Sequence, residues 1–172
     1  LSNGDGTFGA FISTTHATSG YGSPWKFDFA DVNGDGKTDA VANYIGADSA
    51  NGTKLRVALS NGDGSFGDFI STIHDTEGYG PSWKFTFADV NGDGMADAIA
   101  SYIGNSTANG TKLRVALSNG DGTFGAFIST IHATSGYGSS SWKFNFADVN
   151  GDGMADAIAN YIGSTSGTSL RV

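Results

Sequence analysis

The chain has no cysteine, which excludes disulfide bonds and thiolate metal sites. Proline occurs only twice, and Glu77 is the single glutamate among 17 acidic residues. Because helix surfaces use glutamate freely whereas aspartate favours turns, this imbalance indicates loops and turns. The 172 residues include 27 glycines, and 12% are aromatic. Such a composition is typical of many turns that join aromatic and β-branched strands, and it argues against disorder.

Basic character and long apolar runs are also missing. The net charge of −8 argues against nucleic acid as a partner. No apolar run approaches the roughly 20 residues of a membrane span, so no membrane insertion is expected. No signal peptide is visible, and the first residue is Leu1. We interpret the chain as a processed product or a fragment, and we expect it to be secreted and extracellular.

An internal repeat of about 58 residues is the strongest signal in the sequence. Each copy contains a W-K-F-x-F-A-D-V-N-G-D-G block, which begins at Trp25, Trp83 and Trp142. The segment L-R-V-A-L-S-N-G-D-G begins at Leu55 and again at Leu113. We therefore predict one domain of three repeats, with approximate boundaries 1–58, 59–116 and 117–172.

The residue pattern of each repeat predicts four short strands. Trp25–Ala30 alternates aromatic and polar residues, Asp39–Ile45 is an apolar run, and Lys54–Leu59 alternates again. Phe8–Thr15 supplies the fourth strand, after an Asn-Gly-Asp-Gly hairpin turn at residues 3–6. Four antiparallel strands per unit indicate an all-β β-propeller with three blades in the chain. A solenoid of strands is less favoured because the unit is too long for one coil.

The two ends of the chain suggest how a ring would close. Residues 170–172 followed by residues 1–4 nearly rebuild the internal L-R-V-A-L-S-N-G segment. Propellers have about four to eight blades, and in a ring of three the angle that each blade would have to span is too wide. We therefore expect a second copy of the chain to complete a six-bladed ring. The alternative is that the chain is part of a longer propeller.

An aspartate-rich loop follows the first strand of each repeat. In Asp31–Asp39, oxygen-bearing side chains stand at positions 1, 3, 5 and 9, position 7 offers its carbonyl oxygen, and Gly36 at position 6 permits a sharp turn. Hard oxygen ligands in this number predict a structural Ca²⁺ ion in each repeat. The predicted ligands are Asp31, Asn33, Asp35, Lys37 and Asp39, then Asp89, Asn91, Asp93, Met95 and Asp97, and finally Asp148, Asn150, Asp152, Met154 and Asp156.

The loop is not an EF-hand, because Ala42 stands where an EF-hand has its bidentate glutamate, and a strand follows rather than a helix. A plain Asx turn is the competing interpretation, but it needs only one or two such residues. The three Asn-Gly-Asp-Gly hairpins carry a single carboxylate each, so we interpret them as turns.

The sequence F-A-D-V-N-G-D-G-x-x-D-A, followed by L-S-N-G-D-G-x-F-G, resembles the FG-GAP or VCBS repeat of integrin-like propellers. The unit length and the G-Y-G…W-K-F segment are most similar to the family of the fungal lectin from Psathyrella velutina. The resemblance implies a propeller that binds N-acetylglucosamine between adjacent blades. The calcium loop is also shared with adhesion and enzyme-accessory propellers, so it does not distinguish among these functions.

The segment between one repeat's last strand and the next repeat's first strand fits sugar binding, because it combines aromatic rings with polar groups. The candidate residues are His16, Tyr21 and Trp25, then His74, Tyr79 and Trp83, and finally His132, Tyr137 and Trp142. Core packing is an equally open role for the tryptophans, and structural hydrogen bonding is open for the histidines. Arg56, Arg114 and Arg171 are predicted to pair with acids or to line a blade surface, with a sugar contact as the less favoured role.

Three functions therefore compete. The first is a multivalent lectin for terminal N-acetylglucosamine-type sugars, and the second is an integrin-like adhesion module that binds protein. The third is an accessory propeller of a larger enzyme. Catalysis within this chain is not expected, because every feature occurs three times and the acids cluster where metal ligands are needed.

Overall fold

The computed structural model describes residues 1–16, 25–45, 52–74, 83–103, 110–132, 142–162 and 167–172. All regular structure in these residues is β-strand, and none of them forms a helix with the length and apolar character of a membrane span. The strands are β1 Lys26–Ala30, β2 Asp39–Ile45, β3 Thr53–Ala58, β4 Ile70–His74, β5 Trp83–Ala88, β6 Asp97–Ile103, β7 Thr111–Ala116, β8 Ile128–His132, β9 Trp142–Ala147, β10 Asp156–Ile162 and β11 Thr168–Arg171.

The strands form three antiparallel sheets in which neighbours in sequence are neighbours in space. Blade 1 has the order β1-β2-β3-β4, blade 2 has β5-β6-β7-β8, and blade 3 has β9-β10-β11. The register repeats between blades, because Thr53 pairs with His74 in blade 1 as Thr111 pairs with His132 in blade 2. This arrangement confirms the prediction of propeller blades. Each blade begins at a W-K-F block, and blades 1 and 2 take their fourth strand from the following repeat.

The predicted strand at Phe8–Thr15 differs from the structure. Ser2 and Phe8 form an isolated bridge across the hairpin turn, and residues 9–16 belong to no strand. The equivalent residues of the next repeat do form β4, because β3 lies alongside and supplies the hydrogen-bonding partner. No described strand lies beside residues 9–16, so a nearly identical sequence forms no ladder there.

Each blade has two different faces. The aromatic face of blade 2 carries Phe85 and Phe124 together with the small residues of its inner strands. The aliphatic face of blade 1 carries Val41, Leu55 and Val57. These two faces pack against each other as one buried cluster, and alternate side chains of each strand therefore enter different blade interfaces.

Candidate functional site

The aspartate-rich loops fold around the first carboxylate of each loop. The Asp31 carboxylate accepts N–H bonds from Gly34 and Gly36, both at 2.8 Å. Both glycines have positive φ, at 76° and 80°, a backbone conformation that side-chain-bearing residues rarely adopt. The equivalent bonds to Asp89 and Asp148 recur in the other two loops. The glycines of the motif thus let the backbone wrap its own carboxylate.

The last carboxylate of the loop is buried at the start of the second strand. Asp97 is inaccessible to solvent and accepts N–H bonds from Val90 at 3.0 Å and Ser118 at 2.8 Å. Burial raises the pKa of the Asp97 carboxyl, and the charges of Asp93 and Asp89 raise this pKa further. The three carboxylates of one loop therefore lie within electrostatic reach of one another.

The donor chemistry of the loops fits calcium, but their side chains do not converge. Among the described residues, no group of three or more acidic or histidine side chains is gathered as a metal site. The carboxylates are directed at backbone N–H groups instead, as the bonds to Asp31 illustrate. Three carboxylates with an amide and a carbonyl oxygen nevertheless form a hard ligand set that suits Ca²⁺. Calcium binding stays a prediction, with the position 1, 3, 5, 7 and 9 residues as its ligands.

The loops also connect neighbouring blades. The Ala96 N–H donates to the Asp31 carbonyl at 2.7 Å, and the Ala155 N–H donates to the Asp89 carbonyl at the same distance. In addition, the buried Ser118 hydroxyl donates to the Val32 carbonyl at 2.6 Å. Any ion that rigidifies one loop would therefore also steady the adjacent blade.

The tryptophans of the predicted sugar site take part in packing. Trp83 is buried, its ring centroid lies 5.4 Å from that of Tyr102, and the Arg114 guanidinium lies 5.3 Å from the Trp83 ring centroid. The same tyrosine, tryptophan and arginine trio occurs in the other blades. The arginines thus stack on indole rings, a role that the sequence did not predict.

A cleft of about 350 Å³ lies between blades 2 and 3. Blade 2 contributes Lys84, Thr86 and Ser101, whereas blade 3 contributes Trp142 and Phe144, among other residues. Trp142 was a predicted sugar-binding residue, but the polar strand residues were missed. The signal that could have found them is that these strand positions are polar in all three repeats. The cleft combines aromatic rings with hydroxyl and ammonium groups, a mixture that recognises polyhydroxylated ligands.

The other predicted sugar-binding residues are not assembled into one site by the described structure. His16 is partly buried, lies edge-on to Phe69 at 4.9 Å between ring centroids, and has Nδ1 3.8 Å from an Asp68 carboxylate oxygen. Trp25 is likewise described, and its ring packs on Tyr44. Tyr21, Tyr79 and Tyr137, and the side chains of His74 and His132, lie outside the described residues. A shared role for these residues stays a prediction.

Several known structures share this fold. A chain titled TcdB2-TccC3 without its hypervariable C-terminal region is 22% identical, with a TM-score of 0.62, over 87% of this chain and 6% of that one. The Photorhabdus luminescens Tc holotoxin pore gives 21% identity and a TM-score of 0.63 over 88% and 6%. An Agrocybe aegerita lectin, whose title describes recognition of non-reducing terminal N-acetylglucosamine, gives 24% identity and a TM-score of 0.59 over 86% and 38%.

The chain is thus much shorter than these proteins. A search of curated proteins found no match. The model of the FG-GAP-like repeat matches residues 44–100 and 102–159, which is more than half of the chain. The chain therefore belongs to the FG-GAP-like repeat family, as its repeated F-A-D-V-N-G-D-G blocks predicted.

Proposed function

We propose that the chain is a calcium-stabilised, multivalent lectin that binds terminal N-acetylglucosamine-type sugars between its blades. The observation that carries this proposal is the cleft between blades 2 and 3, which places the Trp142 ring beside hydroxyl and ammonium groups. The similarity in fold to the Agrocybe aegerita lectin supports the same function. We propose that this binding takes place outside the cell.

The cleft suits a single sugar ring in size and chemistry. Its volume of about 350 Å³ falls within the roughly 300–1,000 Å³ of small-molecule sites. An apolar C–H face of the sugar would contact the exposed edge of the aromatic lining, because dispersion and C–H contacts favour aromatic rings there. Ser101 and Thr86 would exchange hydrogen bonds with the hydroxyl and acetamido groups, and the Lys84 ammonium would donate to them.

Calcium would serve the protein as a brace. The predicted ions would neutralise the three mutually repelling carboxylates of each loop, and the loop hydrogen bonds would transmit that rigidity to the next blade. Nine of the 17 acids lie in these three loops and every feature occurs in three copies, so we propose binding without catalysis. Several clefts on one rigid ring would raise the avidity for branched glycans by roughly 10²–10⁴ over a single site.

A second candidate function is that of a scaffold within a larger protein. The supporting observation is that the fold also matches small parts of very long toxin chains. In that case the chain would bind protein, in the manner of an integrin-like adhesion module or an accessory domain. Sugar binding by the isolated chain distinguishes the two candidates.

The lectin proposal is tested by glycan-array binding in the presence of Ca²⁺, followed by calorimetric titration with N-acetylglucosamine. We expect binding of glycans with terminal N-acetylglucosamine and inhibition by the free sugar. Ser101→Ala in the cleft should weaken the titrated affinity several-fold. Ser71→Ala, on an exposed position of β4 outside the cleft, is the matched control and should leave the affinity unchanged. Absence of any glycan binding by the folded, calcium-loaded protein would refute the lectin function.

A further inference from the structure

The two end blades expose faces that are buried between blades 1 and 2. On the aromatic face, Phe27 of blade 1 is 52% exposed, whereas its equivalent Phe85 in blade 2 is 9% exposed. On the aliphatic face, Val172 beside β11 is 78% exposed, whereas its equivalent Val57 in blade 1 is fully buried. The aromatic face of blade 1 and the aliphatic face of blade 3 are therefore the two separated halves of a blade interface.

A cavity of about 380 Å³ marks the first of these halves. Its lining includes Phe27, Phe29, Ala40, Ala58 and Phe66. One repeat further along, the equivalent residues are Phe85, Phe87, Ala98, Ala116 and Phe124, all of which belong to the cluster that blade 1 fills with Val32, Val41, Leu55 and Val57. The cavity is thus a socket for an aliphatic blade face. Apart from Thr14 and His16 its lining is apolar, which distinguishes it from the more polar cleft between blades 2 and 3.

Residues 1–16 pack against blade 1. They occupy the position that the outermost strand of a preceding blade would occupy. A side chain built at Gly64 would meet Ile12 Cδ1 at 2.8 Å, just as one built at Gly122 would meet Ile70 Cδ1 at 2.8 Å. Ile12 and Ile70 are equivalent positions, 58 residues apart. The segment therefore holds the place of β4 relative to the next blade, but the three inner strands that accompany β4 are not beside it.

Blade 3, in contrast, has the three inner strands but no described fourth strand. Its sheet ends at β11, and no described strand pairs with the outer side of β11, whereas β3 and β7 pair with β4 and β8. The aromatic rings repeat the pattern. In blade 2, Phe124 lies 6.0 Å from Phe87 and Phe127 lies 6.2 Å from Phe85 between ring centroids. The residues of the first repeat that correspond to Phe124 and Phe127 are Phe8 and Phe11, and both are almost wholly exposed.

We propose that residues 8–16 of a second copy of this chain form the fourth strand of blade 3, and that the aliphatic face of this blade fills the socket on blade 1 of that copy. The occupant is a second copy because the segment and the edge have the sequences that pair within the chain. Ala126–His132 and Ala10–His16 differ only where Ile131 is replaced by Thr15. The contact is head to tail, and two copies close a six-bladed ring.

The register follows from the pairing of β7 with β8. In that pair Leu113 faces Thr130 and Arg114 faces Ser129. Transferred to the new strand, Leu170 faces Thr14 and Arg171 faces Ser13 of the second copy. The same placement brings Phe11 onto Phe144 and Phe8 onto Phe146, which buries two rings that are exposed in the single chain. This assembly does not depend on sugar binding.

Cysteine cross-linking tests the register, because the chain has no cysteine of its own. The double variant Thr14→Cys/Leu170→Cys places its thiols on directly opposed positions. The matched control Ser13→Cys/Leu170→Cys moves one thiol to the other face of the strand. After mild oxidation, we expect a covalent dimer from the first variant and at least tenfold less from the control. Equal cross-linking of the two variants, or a link within one chain, would overturn the proposal.

Sedimentation equilibrium provides an independent measurement. The unmodified chain, of 17.6 kDa, should sediment as a dimer. Phe11→Ser should weaken dimerisation at least tenfold while leaving the far-ultraviolet circular dichroism spectrum unchanged, because this ring is exposed in the single chain. A monomer at micromolar concentration, or an open series of larger polymers, would contradict the closed ring.

Discussion

Lys37 Nζ lies 2.7 Å from Asp35 Oδ2, inside the first aspartate-rich loop. The other two loops have Met95 and Met154 at this position, and their equivalent carboxylate oxygens accept bonds from an asparagine amide instead. The hydrogen bond from Lys37 and the charge of this ammonium lower the pKa of the Asp35 carboxyl. The first loop thus carries its own cation beside a predicted calcium ligand, and the three loops are not equivalent.

The first prediction concerns calcium affinity. Because the ammonium competes with the ion for Asp35, we expect the first loop to bind Ca²⁺ about fivefold more weakly than the other two, the upper range for an exposed ion pair. Calorimetric titration should resolve two classes of site. Lys37→Met should merge them into one class, and Lys26→Met, an exposed lysine of the same blade, should not. One uniform class in the unmodified protein would contradict this prediction.

The second prediction concerns removal of the ion. At a free Ca²⁺ concentration one hundred times the Kd, each bound ion stabilises the fold by about 2.7 kcal/mol. Since about 1 kcal/mol shifts the melting temperature of a domain of this size by roughly 2–4 °C, chelator should lower it by at least about 5 °C. Asp93→Asn should reduce this difference, whereas Asp121→Asn in a hairpin turn should leave it intact. An unchanged melting temperature on chelation would argue strongly against calcium binding.

A third prediction addresses the contact between blades 1 and 2. The buried Ser118 hydroxyl donates to the Val32 carbonyl, so Ser118→Ala leaves a buried acceptor without its partner. We expect a loss of about 1–2 kcal/mol in the free energy of unfolding, measured by urea denaturation. Ser60→Ala is the matched control at the equivalent position of blade 1. It should cost less than about half as much, because Ser60 is only partly buried. Equal losses would show that the hydrogen bond between the blades adds nothing to the free energy of unfolding.

A fourth prediction concerns the pH dependence of the hairpin turns. The side-chain hydrogen bond from Thr123, followed by its backbone N–H, lowers the pKa of Asp121 below its ordinary value of 3.8. A carboxyl whose pKa is lower in the folded state stabilises the fold at pH values above its unfolded-state pKa. This stabilisation is lost as the pH falls through the folded-state pKa. Thr123→Val should therefore raise the pKa of Asp121, as followed by carboxyl NMR titration.

The Asp63 carboxyl is the internal control for that titration. Its own turn has Ser65 in place of Thr123, and the same kind of bond lowers its pKa. The pKa of Asp63 should stay unchanged in the Thr123→Val variant. A pKa of Asp121 that does not move would show that the backbone N–H alone holds it down.

The local elements could be predicted from the sequence because their causes are local. Alternation at Trp83–Ala88 and the apolar run at Asp97–Ile103 both became strands, and the Asn-Gly-Asp-Gly turns became hairpin connections. The aspartate-rich loops formed where their glycines permit positive φ. The role of Arg114 was not predictable, because stacking on Trp83 requires two strands that are far apart in sequence to be in register.

The sequence by itself determined the repeat, the strands within it and the composition of each loop, since these depend on residues close together in the chain. The tertiary structure alone decided which copies of a motif are buried and paired with a neighbouring strand. Phe11 and Phe127 stand in nearly identical sequence contexts, yet Phe11 is exposed while Phe127 packs against the core cluster. The difference is physical: burial and strand pairing depend on whether another strand lies alongside, which no local sequence specifies.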